Sequence, residues 1–187
     1  MKERDMQIDE VLKKIEKEVR SGRRFLPIVG PKKGAFLYLV AKSSKAKKVL
    51  DLGTLIGYSA LLLSKAMGKG GRVVSVEKEH ALVGEARANA KAAGVRNITF
   101  LEGDAKMVIK KTKTKFDLIL LDVWKEDYVK LLPLCVQQLR SGGVLIADNA
   151  SWDTDGMRKF REALKRNKNL ESVLVPVQDG MSFSVKR

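Results

Sequence analysis

Two residue types on which many enzyme sites depend are nearly missing. The 187-residue chain has one cysteine, Cys135, and one histidine, His80. A lone cysteine excludes an intramolecular disulfide, and together the two counts exclude zinc sites built from several Cys and His ligands. A Ser-His-Asp or Cys-His mechanism would have to use His80 or not exist. Chemistry in this chain therefore rests on carboxylates, lysines, amides and hydroxyls. Long apolar runs are missing too. Ala60-Leu61-Leu62-Leu63 stops at Ser64-Lys65, far short of the roughly 18 residues of a membrane span. The start, Met1-Lys2-Glu3-Arg4-Asp5, is charged and has no apolar stretch of a secretory signal, so a cytoplasmic protein without membrane contact is expected.

What the chain does have is charge. Hydrophobic residues make up 44% and charged residues 32%, which fits a folded domain, and the net charge is +15. Residues 1–50 carry 14 basic and 6 acidic residues, so the excess leans to one end without forming a tail. From Asp9 to Arg20 the two signs alternate as on an exposed helix face. A solvated surface is the reading favoured over a nucleic-acid partner.

Ile8, Val11, Leu12, Ile15 and Val19 recur at helical spacing up to Ser21-Gly22. A basic loop, Arg23 to Pro31, precedes a second helix over Gly34 to Ala41. From Lys48 short apolar runs alternate with amphipathic stretches. The runs are Val49–Leu52, Val73–Val76, Ile98–Leu101, Leu118–Leu121 and Val144–Ala147, with helices such as Glu79–Ala93 and Lys125–Leu139 between them. That alternation predicts an α/β domain with a parallel sheet covered on both faces. Glu171–Val177 and Met181–Lys186, joined by Gln178-Asp179-Gly180, read as an antiparallel hairpin, giving seven mostly parallel strands. Residues 1–187 are expected to form one domain, with 1–45 as helices capping substrate and cofactor and 46–187 as a Rossmann-like core.

Ligands of an open parallel sheet sit at the carboxyl ends of its strands. After the first strand comes Asp51-Leu-Gly-Thr-Leu-Ile-Gly-Tyr-Ser59. Gly53 permits close approach of a ligand to the backbone, and Gly57 opens a helix whose free amides favour an anion. The G-x-x-x-G spacing is neither a dinucleotide fingerprint nor a Walker A loop. A structural turn would use the same glycines. Glu77 ends the second strand where an acid can hold ribose hydroxyls, or it caps a helix. Gly103-Asp104-Ala105 can border an adenine, or Asp104 can simply N-cap the next helix. Agreement of three successive loops favours a bound adenosine compound. His80, just beyond Glu77, reads as a surface residue, and Cys135 as packing.

The densest chemistry follows the fourth and fifth strands, in Leu121-Asp-Val-Trp-Lys-Glu-Asp-Tyr128 and Ala147-Asp-Asn149. Apolar strands running into Asp122 and into Asp148-Asn149 bring two carboxylates and an amide oxygen to one edge, a donor set suited to Mg²⁺ or another divalent cation. Lys125 falls beside that ion, which favours the neutral amine able to take a proton from a hydroxyl.

These motifs, in this order, resemble those of the cation-dependent O-methyltransferases, the group of catechol and caffeoyl-CoA O-methyltransferases and their small prokaryotic relatives. The resemblance runs from about Phe25 to the C-terminus, and the octet around Lys125 is its most specific part. It implies the class I S-adenosylmethionine-dependent methyltransferase fold. It places S-adenosylmethionine over Gly53, Thr54, Gly57 and Tyr58, with the methionine carboxylate held by Ser59 and backbone near Val29. Glu77 and Lys78 would lie at the ribose, Gly103, Asp104 and Ala105 at the adenine, and Asp122 and Trp124 against the cofactor. Asp122, Asp148 and Asn149 would bind the metal, Lys125 would be the base, and Phe25, Trp124 and Trp152 would form a dry pocket for a small phenolic acceptor. The short Ala150–Asn169 segment lacks the insertion many relatives use for substrate contact and dimerisation, so a homodimer stays open. An RNA methyltransferase lacks support in an N/D-P-P-Y/F motif. A non-catalytic RNA-binding or scaffold protein is opposed by the intact set of Asp122, Lys125, Asp148 and Asn149.

Overall fold

The computed structural model describes residues 2–187. Helix α1 (Lys2–Ser21) buries Ile8, Val11, Leu12 and Ile15 and stops at Gly22, whose φ of 65° a residue with a side chain rarely adopts. Helix α2 (Gly30–Ser43) is longer than the expected Gly34–Ala41. Pro31 sits in its first turn, where no backbone N–H is needed, so the proline starts the helix instead of excluding it.

The alternating core follows as β1 (Lys48–Leu52), α3 (Tyr58–Ala66), β2 (Arg72–Glu77), α4 (His80–Ala92), β3 (Ile98–Glu102), α5 (Ala105–Lys111) and β4 (Phe116–Leu121). A 3₁₀ turn at Lys125–Asp127 leads into α6 (Tyr128–Gln138), then β5 (Leu139–Asp148), α7 (Asp155–Arg166), β6 (Leu170–Val175) and β7 (Met181–Lys186). The single helix expected over Lys125–Leu139 is thus divided, and β5 begins five residues earlier than its apolar run. Arg140 to Gly143 are drawn into the strand across an irregularity opposite Phe116–Leu118.

The seven strands are ordered β3-β2-β1-β4-β5-β7-β6. The first five are parallel and β7 is antiparallel to both neighbours, as expected. One apolar core packs the helices α1 to α4 on one face, and a second packs α5 to α7 on the other. The strand order runs outward to one side from β1 through β2 and β3 and to the other side from β4, so the parallel strand ends on either side of that switch point open a crevice for ligand. No helix among the described residues is long and apolar enough to cross a membrane.

Candidate active site

Along the carboxyl edge of the sheet the order β3-β2-β1-β4-β5 brings Asp104, Glu77, the loop Gly53–Gly57, Asp122 and Asp148 into one row. Glu77 is fixed by three backbone donors. Its Oε2 accepts the N–H of Leu55 at 3.0 Å, and its Oε1 those of Lys78 and Glu79 at 2.8 and 3.2 Å. The carboxylate therefore ties the β1–α3 loop to the end of β2 and keeps lone pairs for further donors. Gly57 is the N-cap of α3 at a φ of 89° and offers no side-chain cap, so the first amides of that helix stay available.

Several cofactor-side expectations change. Gly53, at a φ of 99°, has its hydrogen facing protein and not open space: a Cβ there would lie 1.8 Å from the carbonyl oxygen of Asp122. Its first requirement is contact between two strand-end loops. Thr54 and Ser59 are turned inward, both donating to Asp51 Oδ2, at 3.2 and 3.0 Å. A hydroxyl has one hydrogen, so Ser59 can offer a cofactor carboxylate its backbone N–H but not that proton. Tyr58 packs in the core, and its hydroxyl donates to Glu16 of α1 at 2.7 Å. Only its backbone remains on the cofactor side. Asp104 does cap α5, accepting from Met107 N at 2.9 Å, and stays exposed beside Gly103 and Ala105. Val29 is buried immediately before α2, and Lys78 is exposed, with its Nζ 6.0 Å from the ring of Trp124. His80 is a surface residue, paired with Glu102 at 2.7 Å.

Asp51 is a feature that sequence reading missed. It lies fully buried on β1, and Ser75 joins Thr54 and Ser59 as a donor to its Oδ2, while Oδ1 has no partner. Burial pushes its carboxyl up to about 7 despite the hydroxyls, and the nearby charge of Asp122 adds to the rise.

The expected cation residues do come together. Asp122 Oδ1 accepts from Lys125 Nζ at 3.0 Å, and the same ammonium donates to Val123 O at 3.1 Å and to Tyr128 Oη at 3.0 Å. Asp148, only 3% exposed, takes the Asn149 N–H on Oδ1 at 2.7 Å and faces Lys33 Nζ with the same oxygen at 2.5 Å. Asn149 sits at a φ of 52°, a left-handed conformation that asparagine tolerates, and its Nδ2 donates to Asp179 Oδ2 at 2.6 Å. Within the described residues these bonds leave Asp122 Oδ2, Asp148 Oδ2 and Asn149 Oδ1 without a protein donor. Burial and repulsion from Asp122 push the Asp148 carboxyl up to about 6, against the pull of Lys33. Two carboxylates close enough to disfavour each other, with three oxygens unused, fit a cation. Among the described residues no three of His, Cys, Asp and Glu cluster as ligands, and the third donor of this set is the amide of Asn149.

Lys33 and Asp179 were not anticipated. Burial pulls the Lys33 ammonium towards neutrality, but hydrogen bonds and charge from Asp148 and Asp179 outweigh it and raise its pKa above the usual lysine value. The same kind of contacts, from Lys33, Asn149 and Trp152, outweigh burial at Asp179 and lower its pKa. Lys33 contributes only to the net charge in the sequence, and Asp179 reads as part of the Gln178-Asp179-Gly180 turn motif with no role of its own. Gly180, at a φ of 82° and with a Cβ position 2.0 Å from Ser151 Oγ, lets that turn reach the loop after β5.

The aromatic expectation is altered. Phe25 is 89% exposed, Trp124 69% and Trp152 43%, so the three rings do not enclose a dry pocket. Trp152 is nevertheless at the site, with its Nε1 donating to Asp179 at 2.8 Å and Lys125 Nζ 5.6 Å from its ring centre.

Comparison with known proteins gives the family and the fold. The catechol O-methyltransferase of Niastella koreensis is 27% identical over 179 residues, covering 84% of this chain and 81% of that protein. The catechol O-methyltransferase of Mycobacterium tuberculosis is 33% identical over 123 residues, covering 65% of this chain and 56% of that protein. A solved O-methyltransferase of Streptomyces achromogenes, in complex with S-adenosylmethionine and involved in tomaymycin synthesis, is 25% identical. It superposes with a TM-score of 0.82, covering 95% of this chain and 89% of that one. The O-methyltransferase of Bacillus cereus in complex with S-adenosylhomocysteine shares the fold at a TM-score of 0.86 and 23% identity, covering 95% and 91% of the two chains. The O-methyltransferase family model matches residues 2–187, and with the strand-end motifs in place the chain belongs to the O-methyltransferase family.

Proposed function

We propose that this O-methyltransferase transfers a methyl group from S-adenosylmethionine to one hydroxyl of a vicinal dihydroxyphenyl acceptor, with Mg²⁺ held by Asp122, Asp148 and Asn149. The carrying observation is the set of three undonated oxygens beside a lysine whose Nζ is 3.0 Å from Asp122. Hard oxygen donors with room for water suit this ion. When bound, it supplies Lewis acidity that makes an acceptor hydroxyl easier to deprotonate.

Lys125 does the proton chemistry in this reading. As an ammonium it can donate to all three of Asp122, Val123 O and Tyr128 Oη. As an amine it keeps two of those bonds and has one lone pair for the hydroxyl proton. Trp152, anchored by Asp179, provides an aromatic face beside that lysine for a phenolic ring.

Glu77 holds the ribose hydroxyls of the methyl donor in a carboxylate that its three backbone donors have already aimed. The first amides of α3 receive the methionine carboxylate. Names of the relatives, catechol O-methyltransferases among them, support the acceptor class, and the neighbours solved with S-adenosylmethionine or S-adenosylhomocysteine support the donor.

The test is formation of S-adenosylhomocysteine with 3,4-dihydroxybenzoate, with its monohydroxy analogues and with RNA, each with Mg²⁺. Turnover confined to the dihydroxy compound supports the reading. Equal turnover of a monohydroxy compound, or methylation of RNA, contradicts it.

A further inference from the structure

We propose that Lys33 is a positioning residue that sets the donor geometry of the cation site from outside it, acting on Asp148 directly and on Asn149 through Asp179. The inference rests on the reading of Asp122, Asp148 and Asn149 as cation ligands. Lys33 is 4% exposed in the first turn of α2, far in sequence from the strand ends it serves. Its Nζ bridges Asp148 Oδ1 and Asp179 Oδ1, joining α2, the end of β5 and the β6–β7 turn at one ammonium. Asp179 Oδ2 in turn accepts Asn149 Nδ2 at 2.6 Å and Trp152 Nε1 at 2.8 Å.

Each contact has a consequence for what the cation would meet. With Lys33 and the Asn149 N–H both on Asp148 Oδ1, the other carboxylate oxygen is the one left over. With the Asn149 amide nitrogen held by Asp179, the amide cannot turn over, and its oxygen is what remains. The amide's orientation is thus dictated by a negative acceptor, which itself needs Lys33 to sit beside Asp148 without net repulsion. Ligand-orienting partners of this kind usually account for a 10- to 100-fold share of metal affinity.

Asp179→Asn tests the chain of contacts with little change of volume. An asparagine at this position has one accepting oxygen for three donors, and its NH₂ favours an Asn149 amide turned over, nitrogen towards the cation. Lys33→Met is the second variant, and removes the clamp at its centre. Both are compared with the unmodified protein by calorimetric titration of MgCl₂ in S-adenosylhomocysteine without acceptor. Binding of S-adenosylhomocysteine in EDTA and circular dichroism report the fold. The expected result for Asp179→Asn is unchanged dichroism and S-adenosylhomocysteine binding with Mg²⁺ affinity about 10- to 100-fold weaker, and the same loss in Lys33→Met where it folds. A folded Asp179→Asn protein with the unmodified Mg²⁺ affinity overturns the proposal and leaves the cation reading standing. Absence of Mg²⁺ and Mn²⁺ binding to the unmodified protein overturns the cation reading, and the positioning role with it.

Discussion

The phenol oxygen of Tyr128 stands 3.0 Å from Lys125 Nζ while its own hydrogen is shared between the carbonyl oxygens of Leu121 and Asp148, at 3.0 and 3.2 Å. One fully buried side chain thus joins the last residue of β4, the last residue of β5 and the lysine proposed as base. Burial and the charges of Asp122, Asp148 and Asp179 push its pKa far up, so it stays a neutral hydroxyl. Tyr128→Phe should retain the ring packing against Phe160 but strand two buried carbonyls and loosen Lys125. Expected outcomes are a stability loss of about 1–3 kcal/mol in chemical denaturation and a fall in kcat larger than any change in the KM for S-adenosylmethionine.

Lys125→Ala removes the proposed proton acceptor and the ammonium partner of Asp122. A steady-state assay should show kcat lower by about 10²- to 10⁴-fold, the usual contribution of a positioned base, with S-adenosylhomocysteine still bound. Because the lysine lies in the site's wall and not on the Glu77 side, cofactor affinity is the control that separates lost chemistry from lost fold.

Asp51 makes stability depend on pH. Its folded-state carboxyl is raised from the ordinary 3.8 to about 7, so the folded chain binds its proton more tightly than the unfolded chain does. Below about pH 4 both states carry the proton and there is no penalty; between there and about pH 7 the unfolded state ionises first, and stability falls as pH rises. Asp148, raised to about 6, acts in the same direction between about pH 4 and 6. Asp51→Asn should flatten the melting-temperature profile between pH 4 and 7 and raise Tm at pH 8, by about 2–4 °C for each kcal/mol recovered.

Gly53→Ala is expected to fail for two reasons at once. The new methyl group would lie 1.8 Å from Asp122 O, and the residue holds a φ of 99°. The loop can relax only by moving the strand end that carries Asp122, so thermal denaturation should show a large loss of Tm. Any folded fraction should bind Mg²⁺ more weakly than the unmodified protein.

How far the sequence foretold this molecule follows from which forces act locally. Apolar runs separated by amphipathic stretches report burial directly, so the parallel strands, the closing hairpin and the row Glu77, Asp122, Asp148 were legible. Boundaries set by tertiary pairing were not: β5 reaches back across Arg140–Gly143, residues with no strand pattern of their own, because Leu139 beyond them pairs with Phe116 of β4. Side-chain direction was equally hidden. Thr54 in the glycine loop and Ser59 in the first turn of α3 face ligand by motif, yet they turn to Asp51 because a buried carboxylate needs donors. Lys33 looked like one more charge in a basic chain, and only the fold shows that it lies between two carboxylates distant in sequence. The comparison with O-methyltransferases bears out the family that these motifs resemble.

The central claim, cation-dependent transfer to a catechol-type hydroxyl, is tested most directly by one titration. Enzyme stripped with a chelating resin is given S-adenosylmethionine and 3,4-dihydroxybenzoate, and the initial rate of S-adenosylhomocysteine formation is followed as MgCl₂ is added. The account predicts a rate near background without metal that rises to saturation with Mg²⁺ and is abolished again by EDTA. An undiminished rate in the stripped enzyme, indifferent to both additions, would contradict it.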